Sequence, residues 1–453
     1  MCGPCDLSPK DPEAATLHRI VREHLATFLR TREERGTPMP KFVKDELYGF
    51  VRCGVPAHGV AHFVCSACKR SRVVALSCKG RGFCPRCLGR RMTELSFEWT
   101  RFVLPKVRTR QWVLSLPFWL RVPLAYRHSL ALAVHGVAGR VIEGWYRKRG
   151  KELGVDDPRT GMLTVIQRFG SDLALNVHYH SLAPDGVFDV HGHFTPIAAP
   201  TKGEMTLLCT TMAKRVTSML ERRSTDDDLD DDERALCTAL WNSARRQGAT
   251  AHKDPDVDPD HDADPWAGLI KARVDGFDLE CTTVVREDDR DRLEQLCKYL
   301  LRPPLSDRRL RMIGTAASAE VALELKTAWK DGTQWVTMPV DTFLERLSAL
   351  VPRKREHTIL YRGVLGAHHR RRAKVVPADQ GQRPKNLTWA ALMMHGLSVD
   401  VLRCECGARM KLAAVVLEKK SLARLLSAHG LSERAMPLAP ARAPPQTDFD
   451  FDP

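Results

Sequence analysis

The sequence predicts an α+β protein: a small cysteine-rich module of short strands and turns, followed by a larger domain whose strands are covered by helices. Three observations predict it. Six cysteines crowd between residues 53 and 87. Two apolar runs rich in β-branched and aromatic residues, 162–169 and 173–188, are split by the turn residues Gly170, Ser171 and Asp172, which is hairpin punctuation. Stretches with helical spacing of apolar residues flank that hairpin on both sides.

With 453 residues, 43% of them hydrophobic, the chain has material for several ordinary globular cores. No run of about 18 apolar residues occurs, and the first twenty residues lack the layout of a signal peptide, so a soluble cytoplasmic protein with no membrane partner is expected. The formal net charge is +15 although residues 226–264 carry 13 acidic against 4 basic side chains. Such a basic excess over the rest of the chain points to a polyanionic partner, nucleic acid first, since solubility alone needs far less charge.

Along the chain, Leu17, Ile20, Val21, Leu25, Phe28 and Leu29 give a helix over 13–36, within an N-terminal segment 1–41. The cysteine-rich, basic module covers 42–92. A third domain, 93–350, starts with a strand and loop over 110–122 and a helix over 125–149, then the hairpin and a helix over 204–223. Residues 224–266, with STDDDLDDDE and KDPDVDPDHDADP, bury too little apolar surface to order themselves and read as a disordered insertion around a short helix at 234–246. A helix over 288–301 is stopped by Pro303 and Pro304, and strands at 320–326 and 334–338 precede a helix at 340–350. A basic C-terminal region, 351–432, and a disordered tail, 433–453, complete the chain.

Fourteen cysteines in a reducing compartment are not a disulfide framework. The spacing Cys65-x2-Cys68, fifteen residues, Cys84-x2-Cys87 is that of a zinc ribbon, in which two knuckles place four thiolates about a structural Zn2+. Cys53, His58, His62 and Cys78 remain, and Cys53, His58 and Cys78 are candidates for a second zinc. Lys79, Arg81, Arg86, Arg90 and Arg91 coat this module with phosphate-seeking charge, so its expected task is DNA binding rather than chemistry.

His178 and His180 sit mid-strand, where alternation sends both imidazoles to one face about 7 Å apart. Two neutral imidazoles so placed bind a divalent ion, although the local pattern alone leaves a buried, hydrogen-bonded core pair as an equal reading. Seventeen histidines in this length give roughly 0.6 such pairs by chance. The second pair, His191 and His193, brackets a glycine and reads as a loop. Gln167, on the preceding hairpin arm, can bring its carbonyl oxygen beside the imidazoles, while Asp172 at the turn is less well aimed. Carboxamide and imidazoles together suit Mg2+ or Mn2+.

VIQRFG followed by ALNVHYHSLAPDGVF resembles the histidine, bulky residue, histidine strand of the HUH nucleases. ALSCKGRGFCPRC, RQWVLSLPF, CKYLLRPPLSDRRL and LKTAWKDGTQWV are, with it, similar to the rolling-circle transposases of the insertion-sequence ninety-one type, over about residues 13–430. The resemblance implies an HUH catalytic domain with a central antiparallel sheet packed by helices. It also implies a bacterial, nucleoid-associated enzyme that nicks and rejoins single-stranded DNA at transposon ends through a 5′-phosphotyrosine.

Tyr299, in the segment LCKYLLRPPL, matches the nucleophile. His178 and His180 match the metal ligands, with Gln167 expected as the third, and Arg302, Arg308 and Arg309 follow closely enough to grip the DNA. The implied partners are single-stranded and hairpin DNA at transposon ends, and target DNA. Two departures stand out. Gln295 and Pro303 occupy the positions four residues from Tyr299 where some members carry a second tyrosine, so one nucleophile is expected. Cys404 and Cys406 have only Glu405 between them where the family commonly spaces two residues, and no zinc is assigned to them. The rival readings are a plasmid replication initiator or relaxase of the HUH class, and a catalytically inactive, zinc-dependent DNA-binding regulator.

Overall fold

The computed structural model describes residues 12–223, 270–315, 318–329, 331–376 and 400–442, with residues 390, 391 and 394. The acidic insertion, its short helix and the last eleven residues of the expected tail lie outside the described residues.

The elements begin with α1 (Thr16–Glu34), α2 (Lys41–Val51), β1 (Val60–Cys65), β2 (Ser71–Ala75), α3 (Pro85–Phe102) and β3 (Thr109–Ser115). There follow α4 (Phe118–Tyr126), α5 (His128–Glu152), β4 (Gly161–Phe169), β5 (Leu175–Pro184), β6 (Gly186–Phe188), β7 (Phe194–Pro196) and α6 (Lys202–Arg223). Next are β8 (Lys271–Val274), β9 (Phe277–Glu280), β10 (Val284–Val285), α7 (Arg290–Leu300), β11 (Leu310–Ile313), β12 (Glu320–Glu324) and β13 (Trp335–Pro339). The last are α8 (Val340–Ala349), β14 (Ile359–Gly363), α9 (Arg372–Val375), β15 (Met410–Val416) and α10 (Lys419–Ala428).

These elements form two units that the chain enters more than once. One joins Met1–Cys87, Leu305–Val351 and Asp400–Pro453, and the other joins Leu88–Pro304 and Pro352–Val399. Consecutive domains, as the sequence order suggests, are not what forms. Residues 305–350, expected in the catalytic domain, fold instead with the N-terminal unit, and β14, expected in the basic C-terminal region, joins the large sheet of the second unit.

In the first unit α1 packs on α2 and α8. A buried ion pair, Arg32 to Glu345 at 3.0 Å, ties α1 to α8. The sheet β15-β1-β2 places the C-terminal strand antiparallel to β1, while β11-β12-β13 is a separate three-stranded sheet. Part of the expected disordered tail is ordered, because Met436 N–H donates to Glu13, Ala439 N–H to the Arg22 carbonyl and Arg442 N–H to Thr27 Oγ1.

The second unit is built on a seven-stranded antiparallel sheet, β14-β4-β5-β3-β9-β8 with β10 on β3. The hairpin expected from Gly170, Ser171 and Asp172 is β4–β5, and β5 lies in the middle of the sheet between β4 and β3. Alternation splits the side chains. Trp112, Leu114, Ile166, Val177 and Tyr179 enter a core with α4, α5 and α6, whereas Leu163, Val165 and Leu182 meet Leu293, Leu296, Cys297 and Leu300 of α7.

Asp185, 0% exposed, fastens β5 to β3. It accepts two bonds from Arg110 at 2.8 and 2.9 Å and one from the Tyr146 hydroxyl at 3.1 Å, and it pairs with Arg108 at 2.8 Å. Removing the carboxylate strands a buried guanidinium, so Asp185→Ala should cost about 3–5 kcal/mol in denaturant unfolding.

On α5, His135 donates to or accepts from Thr164 Oγ1 at 3.0 Å and stacks on Tyr179. Burial, then the charge of Arg362, pushes its pKa down to about 4 from 6.5. Below pH 6.5 the unfolded chain therefore binds the extra proton, and stability falls as the pH drops from 6.5 towards 4, by up to about 3 kcal/mol. His135→Gln should flatten that part of the pH profile of urea midpoints.

Candidate active site and metal centres

The strand register builds the site. Gln167 of β4 and Ser115 of β3 stand directly opposite His178, and Val165 and Val113 opposite His180, so these side chains share one face of the sheet. Both imidazoles and Gln167 are 3% exposed. The imidazole centroids are 4.7 Å apart, closer than bare strand spacing, because the rings lean together at 71°. Burial, then the neighbouring charges of His178 and Arg302, drives the His180 pKa well below its ordinary value, so this ring is neutral and able to be a ligand.

Helix α7 covers this face. Asp289 caps its first turn by accepting from the Arg292 N–H, Leu293, Leu296, Cys297 and Leu300 form its buried stripe, and the prolines at 303 and 304 end it as expected. Tyr299 lies beside that stripe, half-buried, with its ring 6.1 Å from the His180 centroid and edge-on to it. The Arg302 guanidinium stacks 4.3 Å above the Tyr299 ring and 6.0 Å from Phe169.

Gln167 Nε2 donates to the Leu300 carbonyl at 2.7 Å, in the last turn of the helix. That carbonyl only accepts, so the amide nitrogen must face it and the oxygen must face away. Gln167 Oε1 is buried with no hydrogen-bond partner. His178 Nδ1 lies 3.0 Å from the Asn176 carbonyl, which leaves Nε2 as the ligand nitrogen. An orphaned carboxamide oxygen beside these two imidazoles fits a divalent ion.

The remaining described tyrosine side chains lie elsewhere. Tyr146 and Tyr179 are in the core of the opposite face, Tyr361 accepts from Trp99 Nε1 at 3.0 Å, and Tyr48 belongs to the other unit.

The first unit holds the cysteines, and it corrects the expected ligand sets. Cys65 and Cys68 do not share a site with Cys84 and Cys87. Instead Cys53, Cys78, Cys84 and Cys87 form one group and Cys65, Cys68, Cys404 and Cys406 another, with all sulfurs of each group within 4.8 Å. His58 is exposed and belongs to neither. The reason is topological: Cys65 ends β1, whose outer neighbour is β15, so its knuckle faces the C-terminal strand rather than the second knuckle.

In the first group the sulfurs of Cys53 and Cys87 are 3.7 Å apart, Cys78 and Cys87 3.4 Å, and Cys53 and Cys84 3.6 Å. Tetrahedral Zn–S bonds of about 2.3 Å put sulfurs about 3.8 Å apart, so the set fits a structural zinc. Contacts from the other three sulfurs, Cys53 first, drive the Cys87 thiol far down while Cys78 and Cys84 are driven up. Only a cation among them would let all four sulfurs ionise at this distance.

A family model described as "Putative transposase" matches residues 161–373, and one for the IS91 "Transposase zinc-binding domain" matches residues 20–116. The chain belongs to the IS91-type transposases. It is a DNA-processing enzyme with a zinc-binding domain ahead of its transposase domain. The 161–373 match contains Gln167, His178, His180 and Tyr299, and the zinc-domain match contains Cys53, Cys78, Cys84 and Cys87. No curated protein and no solved structure matches the transposase. Among the described residues no helix is long and apolar enough to cross a membrane.

Of the residues expected to hold DNA, Lys79, Arg86 and Arg90 are exposed and Arg81 and Arg91 partly so. Arg302 is at Tyr299, but Arg308 and Arg309 belong to the other unit, where Arg309 Nε donates to the Glu324 carbonyl at 2.6 Å.

Sequence reasoning missed Gln111. On β3 it shares the site face and its carboxamide lies 2.9 Å from His180 Nδ1. The contact is drawn from Gln111 Nε2; with the amide's nitrogen and oxygen exchanged, the oxygen accepts from Nδ1–H and Nε2 of His180 is left as the ligand atom, the role a partner behind a metal-binding histidine plays. Gln111→Leu should weaken Mn2+ binding about 10–100-fold in calorimetry with zinc content unchanged.

Proposed function

We propose that this transposase nicks and rejoins single-stranded DNA at transposon ends through a 5′-phosphotyrosine on Tyr299, as an HUH enzyme of rolling-circle transposition with Mg2+ or Mn2+. Its substrates are single-stranded and hairpin DNA at the element ends and then target DNA, which puts it at the bacterial nucleoid. The observation that carries the reading is the approach of Tyr299 to His180, in a pocket face shared by His178 and Gln167. Chance pairs of histidines do not meet a tyrosine held by its own helix end.

Gln167, His178 and His180 would hold the ion, which supplies Lewis-acid polarisation of the scissile phosphate. Gln167 does two things, since the amide that offers its oxygen to this site also fixes the end of α7. Arg302, stacked on the phenol ring, restrains it and brings positive charge to where phosphate oxygens gather negative charge. The Tyr299 oxygen attacks in line. The oxygen–phosphorus bond forms as the phenol loses its proton, the bond to the 3′-oxygen breaks, and that oxygen takes up a proton to leave as a free hydroxyl. The phosphotyrosine keeps the energy of the broken linkage, so the reverse attack by a 3′-hydroxyl rejoins a strand without ATP.

With one tyrosine at the site among the described side chains, and Gln295 and Pro303 standing four residues away on either side, a single adduct per active site is expected. Incubated with labelled single-stranded DNA carrying an element end and Mn2+, the protein should yield a denaturation-resistant adduct that Tyr299→Phe abolishes by at least 10³-fold, while DNA retardation persists. Retarded DNA with no adduct from the wild type would identify a regulator instead.

A further inference from the structure

We infer that Cys65, Cys68, Cys404 and Cys406 form a second tetrathiolate zinc site, which joins the two ends of the chain and is completed only by the C-terminal strand. The zinc-domain match stops at residue 116, so half of this site lies outside the domain that family assigns to zinc.

The backbone prepares both halves. Cys65 is the last residue of β1, its N–H donating to the Arg70 carbonyl at 2.8 Å, so residues 65–70 close in a tight knuckle in which Lys69 takes a positive φ of 61°. The C-terminal half closes in the same manner, with Cys404 N–H donating to the Ala408 carbonyl at 2.8 Å, Gly407 N–H returning to the Cys404 carbonyl at 2.9 Å, and Gly407 at a φ of 87°. The positive φ at Gly407 lets two cysteines with only Glu405 between them turn both sulfurs to one side.

β15 brings the halves together, since Cys65 is opposite Met410 in the β1–β15 register. The sulfurs of Cys65 and Cys406 are 3.5 Å apart, as are those of Cys68 and Cys404, near the ~3.8 Å of sulfurs about one zinc and beyond any disulfide. Further contacts point the same way: Arg70 pairs with Glu405, and Arg72 Nη1 donates to the Val401 carbonyl at 2.8 Å. All four are reduced cysteines, with Cys65 and Cys404 buried and Cys68 and Cys406 exposed. In the first site three of the four sulfurs belong to buried residues. The second zinc is therefore the more accessible to chelators and the first to leave.

Zinc content of the purified full chain tests this. Two zinc ions per chain are expected, released by a coloured chelator in two phases, and one ion in the double variant with Cys404→Ser and Cys406→Ser. A wild-type content of one, or a double variant that keeps two, overturns the inference. Should the double variant not fold, cobalt substitution of the wild type decides: tetrathiolate charge-transfer absorption growing to two equivalents supports the second site, and saturation at one rejects it. None of these readouts depends on nuclease activity.

Discussion

One hydrogen bond, from Gln167 Nε2 to the Leu300 carbonyl, sets the geometry of the candidate site. It spends the amide nitrogen on the end of α7, which holds Tyr299 one residue away, and thereby commits the oxygen to the side of His178. A helix end has carbonyls to satisfy, and a carboxamide can satisfy one while keeping a ligand atom in hand. The same residue thus couples the strand hairpin that carries the two imidazoles to the helix that carries Tyr299.

That coupling works only in one strand register. With β5 between β3 and β4, a slip of one residue would send both imidazoles into the core occupied by Tyr179 and Trp112 and bring Tyr179 to the site. The bidentate grip of Asp185 on Arg110, and the bond between the Thr164 and Ser181 hydroxyls at 2.8 Å, hold β5 to its two neighbours on the side away from the site. The polar groups buried behind the sheet are therefore what allows the polar groups in front of it to converge.

Much of this face is legible in the sequence because it is made by local rules. Strand alternation puts His178 and His180 together, the turn residues 170–172 fold β4 back so that Gln167 lands opposite His178, and paired prolines stop α7 just past Tyr299. What is not legible depends on distant segments. Gln111 reaches His180 only because β3 is the other neighbour of β5, which no local pattern states. The cysteine pairing fails for the same reason: knuckle spacing identifies ligands, but which knuckles meet follows from β1 pairing with β15 some 350 residues later. Helix α4 was hidden by Pro117 and Pro123, and α2 by the cysteines that follow it, although Val43, Leu47 and Phe50 have helical spacing.

The central claim is that Gln167, His178 and His180 converge on one ion in front of Tyr299. The most direct measurement is an anomalous difference map from crystals of the protein grown with Mn2+. The account predicts a single strong peak within about 2.0–2.3 Å of both imidazole nitrogens and of the Gln167 oxygen, on the side of the sheet covered by α7. A map with no peak there, or manganese bound only at other residues, would contradict it.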